Sequence, residues 1–273
     1  MKIENYSDLS NQTLDLDLEN QTIKNINFSN CIFYLSTIEN CIFENCNFEN
    51  INISELHFSN SKIINCNFKN STETTLKFLN CTIINCDFSN SHFKELYFAE
   101  TKIADCLFIN TKIDESEFFE IHMENSLFKE CYSSFNTMCY EDKQNIFKNI
   151  KFISNIFKDV TLKGIFKDCE FSNVVLNDNN TNDKGLLINN AKFINSVFKD
   201  TIMNNQHINR FYSDNTSFEN SSFENSKLCG FQLENCNLKN VNFDNVVFDI
   251  AFDYDDYVVE NKINNCIFEN TEI

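Results

Sequence analysis

The sequence predicts an all-β solenoid in which short extended segments wind into four-sided coils of about 20 residues, with large apolar side chains stacked inside. Three observations predict it. A large apolar residue recurs at every fifth position. A small residue stands two places before it. A second and longer repeat, of four pentads, lies over the first. The chain has 273 residues, with 30 Phe, three Gly and no Pro.

The large column runs Phe28, Phe33, Ile38, Phe43, Phe48, Ile53, Phe58, Ile63, Phe68 and on to Phe128, broken at Glu73. The small column includes Cys31, Cys41, Cys46, Ser61, Cys66, Ser71 and Cys81. Every multiple of five from Asn25 to Glu130 is Asn, Asp or Glu, apart from Leu35 and Thr75. A helix is excluded. Five residues advance about 140° net around a helix, so the Phe residues would form no stripe. A continuous strand alternates with period two, and five is odd. A short extended stretch places the small and large residues on one side, and the turn after it needs φ > 0. Asn tolerates that conformation better than other non-Gly residues, which accounts for many Asn and few Gly. The segments KIINCNFKNS (62–71), TIINCDFSNS (82–91) and KIADCLFINT (102–111) each begin four pentads after the one before. Residues four pentads apart therefore share an environment, as in coils stacked at about 4.8 Å.

The pentads Cys46-Asn47-Phe48-Glu49-Asn50, Cys66-Asn67-Phe68-Lys69-Asn70 and Cys86-Asp87-Phe88-Ser89-Asn90 resemble those of the pentapeptide-repeat family. That family's motif runs small, Asp/Asn, Leu/Phe, polar, Gly. Here Cys stands for Ala and Asn for Gly, which alters turn flavour and core volume. The resemblance covers most of residues 23–273 and implies a right-handed quadrilateral β-helix.

Along the chain, residues 1–22 read as an irregular N-terminal cap in which Leu14, Leu16 and Leu18 alternate as in a strand. Residues 23–138 form a first block of repeats. The frame then moves at Phe147, Phe152, Phe157 and Leu162, and again at Phe166, Phe171 and Leu176. It returns at Phe193, Phe198 and Met203. Residues 139–192 are thus frame-shifted repeats, with loops expected at 139–145 and 177–190 and a bulge near Gly164. Residues 193–273 form a second block. Continuing its frame would bury Asp253 and Asp256, which is costly, so an outward excursion is expected near 249–262. Ile263, Phe268 and Ile273 then re-enter the core. No C-terminal cap helix is legible.

Composition excludes several functions. There are 22 Lys+Arg against 40 Asp+Glu, a net charge of −18, and Arg210 is the one arginine. Such a chain is a poor direct binder of nucleic acid. No apolar run approaches the roughly 18 residues of a membrane span, and the N-terminal stretch holds no apolar signal core. The 13 Cys fall below the density of a disulfide scaffold, so reduced thiols and a cytoplasmic location are expected. Ser and Thr replace Cys in its column, as a size requirement predicts. His57, His92, His122 and His207 each precede a core residue and should point outward, the first three on different faces. They cannot converge on a metal or a nucleophile. Gly164, Gly185 and Gly230 are too scattered for a phosphate loop, and no hydrolase or zinc-protease motif occurs. No catalytic residue, cofactor or metal is expected, and the chain reads as a non-enzyme.

What remains is the surface. From Asp244 to Glu260 there are six acids and no Lys or Arg. Solubility is the plain reading. The resemblance implies more, because quinolone-resistance members of the family bind DNA gyrase and topoisomerase IV as mimics of duplex DNA. Coil spacing of about 4.8 Å and phosphate spacing of about 3.4 Å are of one order. On that reading the partner is a type II topoisomerase. The contacts fall on Asp249, Asp253, Asp255, Asp256 and Glu260, with Glu141 and Asp142 as loop contacts. The alternative is a protein–protein interaction scaffold, effector or receptor-like, whose loops at 139–145, 177–190 and 249–262 carry specificity. A homodimer is compatible with either, but the C-terminal helix through which those members dimerise is not legible here.

Overall fold

The computed structural model describes residues 3, 7–72, 74–138, 144–158, 160–177, 188–252 and 258–272. The chain divides into two compact units, Met1–Phe135 and Asn136–Ile273. Among the described residues there is no α-helix, and short parallel strands form a β-solenoid.

In the unit Met1–Phe135 each coil contributes to four walls. One wall aligns Leu18, Ile38, Phe58, Phe78, Phe98 and Phe118 in successive strands. The next aligns Ile23, Phe43, Ile63, Ile83, Ile103 and Met123. A third pairs Leu14, Phe33 and Ile53, and a fourth pairs Phe108 with Phe128. All these large residues are buried. Inside, Phe28, Phe48, Phe68, Phe88 and Phe108 stack face to face, with centroids 4.9, 4.7, 5.0 and 4.9 Å apart. That is the rung spacing of a sheet. Each buried ring contributes about 1.5–3 kcal/mol, and each ring pair about 0.5–1.5 kcal/mol more.

Asn25, Asn45, Asn65 and Asn85 turn their corner with φ of 56°, 56°, 53° and 53°. They also do something the period did not foretell. The side-chain amides of the last three donate to the side-chain oxygen of the Asn one coil below, Asn45 to Asn25 at 3.2 Å, Asn65 to Asn45 at 3.1 Å and Asn85 to Asn65 at 2.8 Å. Gly would satisfy the turn but could not build this ladder. The corner of Leu35, Glu55, Thr75, Glu95 and Glu115 departs from the rule. Glu55, Thr75 and Glu95 lack left-handed backbone, and the strands Thr74–Leu79 and His92–Ala99 run on through it.

The small column is more than a size filter. Ser91 Oγ donates to the Phe68 carbonyl one coil below at 3.0 Å and accepts the Ser71 amide at 3.1 Å. Thr101 does the same with Phe78 and Cys81, at 3.1 and 3.2 Å. Cys131 Sγ donates to the Phe108 carbonyl at 2.9 Å. Cys, Ser and Thr share the column because each is small and carries a donor.

In the unit Asn136–Ile273 the coil length varies while the columns hold. Phe147 and Phe152 pair with Phe166 and Phe171, in a coil one residue short of four pentads. Those pair with Phe193 and Phe198, in a coil lengthened by the segment 177–190. Phe198 pairs with Phe218 after four pentads, and Leu233 and Leu238 with Ile263 and Phe268 after six. The short coil loses a residue at Gly164, whose φ is +133° and where the register shifts. A Cβ there would lie 2.5 Å from the Asn145 carbonyl oxygen, which accepts the Ile165 amide at 2.9 Å. The expected loops at 139–145 and 177–190 fall largely outside the described residues, and the strands Val175–Asn177 and Ile188–Ile194 flank the second. Core volume is also exchanged between columns. Ser213 stands in line with Phe193 and Leu233, and Phe211, in line with Ala191, fills the gap by stacking 5.0 Å from both Phe193 and Phe231.

Between Phe248 and Ile263 the chain leaves the coil, and Ala251–Phe252 pairs antiparallel with Val258–Val259. Ile263 and Phe268 keep column register but are 38 % and 40 % exposed, because no later coil among the described residues covers them.

Two outcomes follow from this packing. Gly164→Ala should lower unfolding stability by about 2–4 kcal/mol in urea titration, combining backbone strain with the Asn145 contact. The second concerns thiols. Burial pushes Cys81 and Cys131 up to about 11 and Cys169 up to about 12. The unfolded chain releases these protons from about pH 8.5 upward, while the fold retains them. The stability they contribute is whole below that point and is lost as pH rises toward 11–12. In reductant, the urea midpoint should hold between pH 7 and about 8 and fall above about 9, with a shallower fall in a Cys81→Ser/Cys131→Ser/Cys169→Ser variant.

Candidate functional site

Outward side chains flank each inner residue, so they form rows running from coil to coil. Ion pairs link neighbouring coils, along a row for Lys24–Glu44 at 2.6 Å and Lys239–Glu269 at 3.6 Å, and diagonally for Lys69–Asp87 at 2.9 Å. Each is a surface pair worth at most about 1 kcal/mol. Their larger effect is to neutralise acids that look bare along the chain.

Asp249 is such a case. It ends the strand Val247–Asp249, and its carboxylate meets Lys227 Nζ at 2.7 Å. The Lys227 ammonium, and then the Ile250 amide, hold its carboxyl below the usual range. The run from Asp244 to Glu260, without a cation of its own, thus receives one from the preceding coil. Glu260 is exposed, and its backbone carbonyl accepts Gln232 Nε2 at 3.1 Å. Asn261 ties the base of this hairpin to the coil. Its Nδ2 donates to the Asp249 carbonyl at 2.8 Å, and its Oδ1 accepts the Phe231 amide at 2.7 Å. Gly230, at φ +58°, lets the hairpin sit down, because a Cβ there would meet Ala251 Cβ at 2.9 Å and Val259 Cγ1 at 3.0 Å. Asp249 and Glu260 are therefore brought to one hairpin base. Asp253, Asp255, Asp256, Glu141 and Asp142 lie outside the described residues.

The unit Met1–Phe135 presents an acidic surface that the sequence reading did not single out. Three of its corners are dominated by Asn, but the fourth reads Asp15, Leu35, Glu55, Thr75, Glu95, Glu115. Beside it, Lys77, Glu95, Leu96, Tyr97, Glu115 and Glu117 line a depression of about 350 Å³. Lys77 and Tyr97 also line a groove of about 470 Å³ edged by Asp17, Glu19 and Glu39. Glu95, Glu115 and Glu117 make no ion pair among the described residues, and Lys77 lies 3.9 Å from Glu55. His57, on the groove, has Nε2 2.9 Å from Glu55 Oε1. Burial holds its pKa below the ordinary imidazole value, against the pull of Glu55, so it adds no positive charge at pH 7. The sequence signal for this surface was present: one corner column of the four carries acids where the others carry Asn.

His57 and His92, expected on different faces, share one sheet because its strands run through the fourth corner. They still stand on separate rows, His57 beside Lys77 and His92 beside Lys112. His92 Nε2 lies 2.9 Å from Asp114 Oδ2. Among the described residues no group of three or more His, Cys, Asp or Glu is placed to hold a metal ion.

Comparison with known proteins bears on the repeat itself. A family model described as "Pentapeptide repeat region" matches residues 31–105, and one described as "Pentapeptide repeats (8 copies)" matches residues 216–249. None of the curated proteins compared with the chain matches it. Among solved structures, HetL, a pentapeptide repeat protein involved in heterocyst differentiation regulation from the cyanobacterium Nostoc sp., is 10% identical over 93% of this chain and 94% of its own, with a TM-score of 0.32. A trypsin-treated form of QnrB1, a plasmid-mediated fluoroquinolone resistance protein, is 14% identical over 62% of this chain and 82% of its own, with a TM-score of 0.26. The catalytic unit of an α-1,3-glucanase from Streptomyces thermodiastaticus is 8% identical over 93% of this chain and 61% of its own, with a TM-score of 0.33. At these scores the likenesses select no activity. The family-model matches coincide with segments where large and small columns, left-handed Asn corners and parallel coil-on-coil register occur together, and in those segments the chain carries pentapeptide repeats.

Proposed function

We propose that the chain is a non-enzymatic binding protein whose acidic wall engages a basic groove of a protein partner. The observation that carries this reading is the set of Glu95, Glu115 and Glu117 around Tyr97, acids without the coil-to-coil ion pairs that quench Asp249 and Glu44. The parallel ladder fixes their rows at about 4.8 Å, so carboxylates are held in place before a partner arrives. A groove that accepts duplex phosphates meets a similar line of negative charge, and Tyr97 adds an apolar anchor within it. The specific partner we favour is a type II topoisomerase, DNA gyrase or topoisomerase IV, on the family resemblance of the repeats. No bond is made or broken in such a mechanism. Charge steers the encounter, and occupation of the groove excludes DNA.

The test is binding to purified gyrase and topoisomerase IV, with duplex DNA as competitor, and a supercoiling assay. Affinity should fall steeply between about 50 and 200 mM salt. A Glu95→Lys/Glu115→Lys/Glu117→Lys variant should bind at least about tenfold more weakly with an unchanged melting curve. Absence of both low-salt binding and an effect on supercoiling would remove topoisomerase as the partner. Undiminished binding by the triple variant would remove this wall as the contact.

A second reading, display of a loop from a rigid wall, has its own support in the hairpin seated on Gly230 and tied by Asn261, with Val258 exposed. Deleting residues 252–258 should abolish a loop-mediated contact and spare charge-driven binding.

A further inference from the structure

Cys229 breaks the cysteine pattern. The other described cysteines occupy the inner small column. Cys229 instead follows the buried Leu228, at the end of the strand Lys227–Cys229, on the outer side of its wall. Its row neighbours are Asn209 below and Asp249 above. His207, on the preceding coil, reaches diagonally and brings Nε2 to 3.4 Å from Cys229 Sγ. Lys227, two residues away on the same strand and face, holds Asp249 at 2.7 Å. The thiol is 5 % exposed, sunk among longer side chains beside the corner on which the hairpin rests.

We propose that Cys229 and His207 form a nucleophile–base pair that captures a low-molecular-mass disulfide as a mixed disulfide. Burial raises the thiol's pKa, Lys227 opposes that shift and Asp249 adds to it, so the resting group at neutral pH is the thiol. Its attack then needs a base within hydrogen-bond distance, and His207 Nε2 is there. The imidazole takes the Sγ proton, and the thiolate attacks one sulfur of the incoming disulfide. A new S–S bond forms to Cys229 and the old one breaks. The departing thiolate takes the proton back from the imidazolium. Cys229 is oxidised, half of the small disulfide is reduced, and no other reactant is needed. Cys81, Cys131 and Cys169 point Sγ at the carbonyls of Phe58, Phe108 and Phe147. This site is independent of the acidic wall and of any topoisomerase.

The test uses the folded full chain in a Cys139→Ser/Cys266→Ser background, which removes a thiol outside the described residues and the half-buried Cys266. The protein is incubated with oxidised glutathione, and adducts are read by intact mass and peptide mapping. One glutathione per chain is expected, on Cys229, at least about tenfold faster than on any inner cysteine. His207→Gln should slow capture by at least about tenfold with an unchanged melting curve, and Lys227→Gln should slow it less. First reaction at an inner cysteine, no adduct on the folded chain, or a rate indifferent to His207→Gln would each overturn the proposal. The comparison among cysteines is made on folded protein that retains His207, so it decides the matter even if the His207 variant does not fold.

Discussion

A large side chain stacked on its equivalent one coil below is the constraint on which everything else depends. Phe108 and Phe128 lie 4.5 Å apart with rings tilted by 1°, and Phe48 and Phe68 lie 4.7 Å apart at the same tilt. Sheet hydrogen bonding sets the rise per coil, and a flat ring fills that rise without strain. The interior is therefore a lattice, in which a vacancy must be filled from a neighbouring column. Phe211 beside Ser213 is the example. The small column closes the same joint from the other side. Ser91 and Thr101 each hydrogen-bond one backbone donor and one backbone acceptor of the coil below.

The lattice also explains how the chain tolerates irregular length. A shortened coil and two lengthened ones all return to the same columns. A residue is dropped where Gly164 can take a φ of +133°, and residues are added at corners, where an excursion costs no inner contact. The hairpin of Ala251–Phe252 and Val258–Val259 is an addition of this kind. Asn261 and the missing Cβ of Gly230 fix it against the coil, so it is displayed at a defined place.

Function, in a molecule built this way, lies on rows that cross the sequence one coil at a time. Asp249 belongs with Lys227, Asn209 and Cys229 more than with Asp244. Glu95, Glu115 and Glu117 surround Tyr97 because two neighbouring strands, His92–Ala99 and Lys112–Phe119, pair one coil apart.

The amino-acid sequence by itself determined the period, the coil and the inside of the wall. Burial of Phe28 through Phe128 leaves a pentad signature that neither a helix nor a flat strand can produce, and left-handed corners select Asn in the same register. Each of these is a demand that a residue's own position makes on its own chemistry, so it is written locally. The Asn amide ladder, the hydrogen bonds of the small column, the quenching of Asp249 by Lys227 and the meeting of Cys229 with His207 were decided by tertiary structure alone. They depend on which coil lies below and by how far along the chain it is offset. That offset changes from 20 to 19, 27 or 30 within one chain, and the contact between two side chains is a property of their separation in space.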